Sequence, residues 1–209
     1  MTPEQLSQLD WGKGDGLLPV VVQHARTGQV LMVAFMNQAA LEATQSLGRV
    51  TFYSRSKQRL WTKGETSGNF LKFVDAAVDC DNDAILILAE PAGPTCHTGT
   101  NSCFGDETTT AAQRLAFLGE LEHVIAQRIV EKPEGSYTAR IWAQGPTRMA
   151  QKVGEEGVEV ALAAVTQEDD RLIGESADLL YHLTLLLKSR DLSLAQVIAE
   201  LEQRHQAKR

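Results

Sequence analysis

The chain of 209 residues contains only three cysteines and six prolines, and aromatic residues make up 6% of it. All three thiols fall between positions 80 and 103. An odd number in one short stretch points to free thiols or metal ligands in a reducing compartment rather than to a disulfide framework. A basic excess is also missing. Twenty Lys+Arg against 27 Asp+Glu leave a formal net charge of −7, which argues against nucleic acid as a partner. It does not exclude phosphorylated small molecules, because local charge and bound metal can override the net value. No run approaches the roughly 18 apolar residues of a membrane span; the longest candidate, 179–187, is interrupted by His182 and Thr184. The first residues, Met1-Thr2-Pro3-Glu4-Gln5, lack the basic and apolar regions of a signal peptide. They read instead as a helix start, with Thr2 as N-cap, Pro3 at the first helical position and Gln5 closing a capping box. A cytoplasmic protein is expected, with no membrane partner.

What is present is a core-forming 43% of hydrophobic residues arranged in two styles. Ten of the 16 glycines lie in residues 1–105, where apolar or β-branched runs at 18–22, 30–36, 50–54, 70–78 and 84–89 alternate with turn residues. One helix is expected among them over 38–47, with Asn37 as N-cap and Gly48 where a left-handed C-terminal residue belongs. From 113 onward apolar residues recur every three or four positions. Helices are expected over 113–131, 147–165, 169–188 and 194–205, with breaks around 133–135 and at Gly145-Pro146. The last opens on Ser193-x-x-Gln196, a capping box. The expected architecture is a β-rich α+β domain over 1–105, a linker over 106–113, and an all-α helical bundle over 114–209.

Two constellations carry chemistry. In the first, Asp79, Asp81 and Asp83 alternate with Cys80 and Asn82. If extended, the segment would put three hard oxygen donors on one face, a set suited to Mg²⁺, and the thiol on the other. Cys96 and Cys103 follow a turn-rich stretch; three thiolates would satisfy three of the four positions around zinc and leave one for water. A solvated acidic turn and small buried thiols remain the plainer readings. The spacing, fifteen residues and then six, matches no common zinc finger. A zinc-dependent base deaminase would need H-x-E followed by P-C-x-x-C, which this sequence does not contain.

Six stretches then resemble one family: LMVAFMN at 31–37, FYSRS at 52–56, LWTKGETSGN at 60–69, DCDNDA at 79–84, GPTCHTG at 93–99 and SCF at 102–104. Together they are similar to phosphoribosyl-AMP cyclohydrolase of histidine biosynthesis. The resemblance implies that Cys80, Cys96 and Cys103 hold Zn²⁺, with Cys80 reaching across a dimer interface, and that Asp79, Asp81 and Asp83 hold Mg²⁺. The implied reaction is attack of zinc-activated water at C6 of the adenine ring, opening the N1–C6 bond. His97, an imidazole beside a zinc ligand, is the expected proton shuttle. Arg55, Ser56 and Lys63 are candidates for gripping phosphate.

The second constellation is Glu155, Glu156 and Glu159, three or four apart on a helix, followed by Glu175 and Asp178 on the next. Like charges at this spacing repel unless a cation sits among them. An acidic solvated face is the plainer alternative. Gly154 and Gly157 inside the helix cost up to about 1 kcal/mol each relative to alanine and suggest close approach to the backbone. Asp178, at the head of an apolar run, is expected to be drawn into a buried or interfacial setting. QKVGEEGVEVALAA and ESADLLYHLTLLL resemble phosphoribosyl-ATP pyrophosphohydrolase, whose reaction precedes the cyclohydrolase step. The resemblance implies that the five carboxylates position Mg²⁺ on a triphosphate, with Glu156 catalytic and Lys152 as a phosphate contact. The long apolar helix suggests burial against a second copy, hence a homodimer. The sequence as a whole is expected to be a bifunctional hydrolase of small phosphoribosyl nucleotides.

Overall fold

The computed structural model describes residues 8–105 and 111–207. The chain forms two compact units, Met1–Ala116 and Phe117–Arg209. The expected helix start at Thr2–Gln5 and residues 106–110 of the expected linker lie outside the described residues.

In the first unit, β1 (Leu18–His24) and β2 (Val30–Met36) form an antiparallel hairpin. After helix α1 (Gln38–Leu47) come β3 (Thr51–Ser54), β4 (Arg59–Thr62), β5 (Leu71–Val78) and β6 (Ile85–Pro91). The main sheet has the order β2-β1-β6-β5, with β1 and β6 parallel and the outer pairs antiparallel; β3 and β4 form a separate two-stranded ribbon. Alternation along the strands sends Leu18, Val20 and Val22 of β1 and Ile85, Ile87 and Ala89 of β6 into one core. Helix α1 closes that core with Ala40 and Leu41. It is capped as expected: Asn37 accepts from the Ala40 amide, and Gly48 adopts φ 63°. The buried Thr44 hydroxyl accepts from the Thr51 amide (2.9 Å), which fastens α1 to β3.

The second unit is helical throughout: α2 (Ala111–Glu131), α3 (Tyr137–Ala143), α4 (Pro146–Thr166), α5 (Asp169–Lys188) and α6 (Leu194–Gln206). Two residues join α4 to α5, so the two helices turn back along each other. Ile125, Ile141, Met149 and Leu185 form the core, with Tyr181 and Trp142 against it. The capping box of Ser193 and Gln196 is present, and the Leu194 amide donates to Glu122 Oε1 (2.8 Å), anchoring α6 to α2. Among the described residues no helix is long and apolar enough to cross a membrane.

Several expectations are corrected. The segment from Asp79 to Asp83 is a turn between β5 and β6, not an extended strand, with Asn82 at φ 61°. Strand β4 was not expected, because its four residues begin with Arg59, lie between Lys57 and Lys63, and pair only with β3. Helix α3 was not expected either. It spans seven residues, too few to show a period, and depends on the Ser136 side chain accepting from the Ala139 amide. Helix α2 begins at Ala111, so 111–113 are helical rather than linker. Asp178 is exposed. A Cβ placed at Gly154 or Gly157 would meet nothing within 4 Å, so among the described residues no other part of the chain approaches those backbones.

Candidate active sites in the two units

The first site rests on the loop after β6. Ser102 Oγ donates to Val30 O (2.8 Å) and the Cys103 amide to Leu31 O (2.8 Å), so the end of the loop is tied to the start of β2. This tether places Cys103 in a cleft with Cys96, His97, Lys63 and Trp61. The other wall is the 63–69 loop, where Gly64 has φ 87° and a Cβ on it would lie 2.5 Å from the Asn69 carbonyl. Only glycine allows that turn. Cys96 and Cys103 sit close enough to influence one another. The Thr98 hydroxyl, 3.1 Å from Cys96 Sγ, and a backbone amide hold the Cys96 thiol down to about 6. Burial, then the charge of Cys96, raises Cys103, against a smaller opposing pull from Lys63. Lys63 is buried, although it is charged.

The metal-free protein should therefore carry, at Cys96, a thiol that ionises well below the usual thiol range. A depressed folded value means the thiolate persists above pH of about 6 and is lost below it. Iodoacetamide is expected to label Cys96 first, with a rate that halves near pH 6 and then falls as pH drops. Labelling of Cys96 that sets in only above pH 8 would contradict this.

Cys80 lies elsewhere, exposed on the β5–β6 turn and 3.9 Å from Asp81 Oδ1. Among the described residues no group of three clustered potential metal ligands includes a cysteine. Cys96 and Cys103, the two thiols that share the first cleft, suit a soft cation. Asp79, Asp81 and Asp83 do converge, with carboxylate oxygens within 4.8 Å of one another. Asp79 Oδ1 accepts the amides of Asp83 and Ala84, both at 3.0 Å, which shapes the turn. Lys13 Nζ bridges Asp81 Oδ2 (2.7 Å) and Asp83 Oδ2 (3.2 Å), and this contact lowers the Asp81 carboxyl. Lys13 was not foreseen from the sequence. Arg55 and Ser56 line a neighbouring cleft whose wall shares Trp61 with the first. The Arg55 guanidinium stacks on Phe35, 3.8 Å from the ring centroid, so Arg55 and Lys63 serve different clefts.

The second site lies between α4 and α5. Glu156, Glu175 and Asp178 bring carboxylate oxygens within 4.8 Å of one another, and Glu156 and Glu175 are buried. Glu159 joins the same field: the charge of Glu156, then burial, raises its carboxyl. Glu155 is set apart. It accepts from Arg148 Nη1 (3.0 Å) and Gln151 Nε2 (2.9 Å) and pairs with Lys152 Nζ (3.0 Å). Lys152 also meets Glu156 Oε1 at 2.5 Å, and Arg171 meets Glu175 Oε1 at 2.6 Å. Carboxylates packed this closely, with cations at the rim, form a hard-donor set suited to Mg²⁺ on a polyphosphate. Arg148 and His182 were missed as site residues. His182 was visible only as a polar break in an apolar run, and Arg148 carried no signal beyond its charge.

Known proteins match both halves. A family model for phosphoribosyl-AMP cyclohydrolase covers residues 32–105, and one for phosphoribosyl-ATP pyrophosphohydrolase covers residues 118–205. Together they define a bifunctional hydrolase, with a strand-rich domain followed by a helical domain of the nucleotide pyrophosphohydrolase type. The chain is 58% identical over 206 residues to the histidine biosynthesis bifunctional protein HisIE of Shigella sonnei, covering 99% of this chain and 100% of that protein. It is 54% identical over 206 residues to the protein of that name from Salmonella typhimurium, with 99% and 100% covered. It is 57% identical over 205 residues to the one from Xanthomonas axonopodis pv. citri, with 98% and 97% covered. The chain belongs to this family of bifunctional histidine-biosynthesis enzymes, with cyclohydrolase and diphosphatase activities.

Proposed function

We propose that the two activities divide between the units. Residues 114–209 would hydrolyse phosphoribosyl-ATP to phosphoribosyl-AMP and pyrophosphate, and residues 1–105 would add water across N1–C6 of the adenine ring. The observation that carries this is the chemistry of the two donor sets: facing thiols in the first unit and convergent carboxylates in the second. Cys96 and Cys103 would hold Zn²⁺ together with Cys80 of the partner subunit in a homodimer. Glu156, Glu159, Glu175 and Asp178 would hold Mg²⁺, and Asp79, Asp81 and Asp83 a second Mg²⁺ once Lys13 withdraws. When bound, zinc supplies water activated near neutral pH, and magnesium offsets the charge of departing pyrophosphate.

The chain's own residues do the rest. Lys152 and Arg148, held in place by Glu155, lie where they can bind phosphate oxygens. Lys63, buried in the thiol cleft, offers a positive charge to substrate phosphate, and Arg55 and Ser56 do so from the neighbouring cleft. His97, whose Nδ1 is 3.8 Å from Cys96 Sγ, moves a proton to N1 as the ring bond opens. Support for a dimer comes from α4, where Val158, Leu162 and Val165 are exposed along one stripe beside the open backbones of Gly154 and Gly157. A zinc site built of thiolates needs a reducing environment, which supports a cytoplasmic location.

The test supplies phosphoribosyl-ATP to the purified protein and follows pyrophosphate and the ring-opened product separately. Both are expected to accumulate, the second with a lag. Absence of pyrophosphate would remove the assignment of the second unit; pyrophosphate without ring opening would remove that of the first.

A further inference from the structure

His182 interrupts the apolar face of α5 and is only 3% exposed. Its ring is held edge-on by two tyrosines: centroids lie 5.8 Å from Tyr137 at 73° and 5.2 Å from Tyr181 at 84°. Tyr181 is itself fixed, its hydroxyl 2.7 Å from Thr138 Oγ1. The start of α3 thus clamps α5 at two successive residues. The imidazole Nε2 lies 3.2 Å from Tyr137 Oη and 3.8 Å from Glu156 Oε1. Nδ1 is buried with no hydrogen-bond partner.

This arrangement selects one tautomer. A proton on Nδ1 would leave a buried N–H unpaired and turn the Nε2 lone pair toward a carboxylate. A proton on Nε2 gives the N–H a partner in Tyr137 and an attractive charge in Glu156, and leaves only an acceptor unpaired, the more tolerated case. Glu156 Oε1 is then paired with Lys152 Nζ and faces, at 3.8 Å, the positive end of the His182 N–H, which is itself held by Tyr137.

We infer that His182, backed by Tyr137, is a positioning residue that fixes Glu156 Oε1 and so leaves Oε2 aimed at the divalent cation. The role deepens the metal reading proposed above and rests on it. Outer residues that orient a metal-binding carboxylate typically contribute 10–100-fold to metal affinity. The geometry separates the two ring nitrogens by function: Nε2 orients the carboxylate, and Nδ1 does nothing for it. Glutamine can present an N–H close to the place of Nε2, asparagine close to the place of Nδ1, and methionine fills the space with neither.

The test measures Mn²⁺ binding by EPR on the full chain carrying Asp81→Asn and Asp83→Asn, which removes the other carboxylate cluster. Thermal melting is recorded beside it. His182→Met is expected to weaken Mn²⁺ binding about tenfold or more. His182→Gln is expected to remain within about threefold of the unsubstituted protein, and His182→Asn to resemble His182→Met. Unchanged affinity in a folded His182→Met, or equal losses in the glutamine and asparagine variants, overturns the inference. If His182→Met does not fold, the Gln and Asn pair decides alone, since both are amides. Tyr137→Phe, which removes one hydroxyl, is expected to weaken binding by less than His182→Met. Glu175→Gln separates the two levels of the reading: if it leaves Mn²⁺ binding intact, the metal site itself is wrong; if it abolishes binding while His182→Met does not weaken it, only the role of His182 falls.

Discussion

Replacing Cys103 with serine is expected to abolish ring opening while leaving pyrophosphate release at its original rate. Cys103 sits in the cleft of the first unit with Cys96, and its main chain, not its sulfur, ties the loop to β2. Serine keeps that tether, so the fold should survive. The sulfur is what a soft cation requires, and a hydroxyl is a poor replacement for a thiolate. Losing a metal that stabilises developing charge by several kcal/mol amounts to a loss on the order of a thousandfold or more. Zinc content by elemental analysis should fall in parallel. Equal loss of both activities in a folded Cys103→Ser protein would sink the two-site assignment.

The same cysteines test the dimer. Cys80 lies on the β5–β6 turn, outside the Cys96–Cys103 cleft of its own chain. If it completes the site of the partner subunit, Cys80→Ser and Cys103→Ser proteins are each inactive in ring opening but rescue one another when refolded together. Half of the dimers in an equal mixture are mixed, and each mixed dimer holds one intact site of two. Recovery of about a quarter of the original activity is the expected result for a twofold assembly. No recovery, with mixed dimers demonstrably formed, would place all three ligands of each site within one chain.

Glu156→Gln is expected to do the reverse. Pyrophosphate release should fall at least about a hundredfold, the upper end of what even supporting residues of metal sites contribute. Ring opening of supplied phosphoribosyl-AMP should be unchanged. Glutamine preserves the shape of a side chain that is 4% exposed, while its amide cannot match a carboxylate as a ligand. Lys152 is not stranded, because Glu155 remains 3.0 Å from its ammonium. The loss therefore reports on the site rather than on an unpaired buried charge. Pyrophosphate release at the original rate would dismiss Glu156 as a metal-site residue.

Much of the fold was legible because most elements advertise themselves locally. Helix α1 carries both of its caps in sequence, Asn37 and Gly48, and β2 is an unbroken apolar run. Strand β4 and helix α3 carry no such signal. The first forms because β3 is there to receive it, the second because Ser136 caps it and Tyr137 and Thr138 dock on α5. At the sites, residue types were legible and partners were not. The acidic run at 79–83 is visible to any reader of the sequence, but its closure into a turn with Lys13 across it depends on a contact 68 residues away. Glu155, Glu156 and Glu159 look equivalent as letters. One helical step apart, Glu155 turns to Arg148 and Lys152, while Glu156 turns inward to His182 and Glu175.

The tether between Ser102–Cys103 and Val30–Leu31 also bears on what the removal of metal should do to the fold. It joins residues more than 70 positions apart and consists of hydrogen bonds to main-chain carbonyls. Cys103 is therefore held against β2 by its own main chain, independently of its sulfur. A zinc finger gains its fold from its metal. Here hydrogen bonds to main-chain carbonyls and the apolar core behind them hold the wall of the cleft, so loss of zinc is expected to cost the reaction and not the fold.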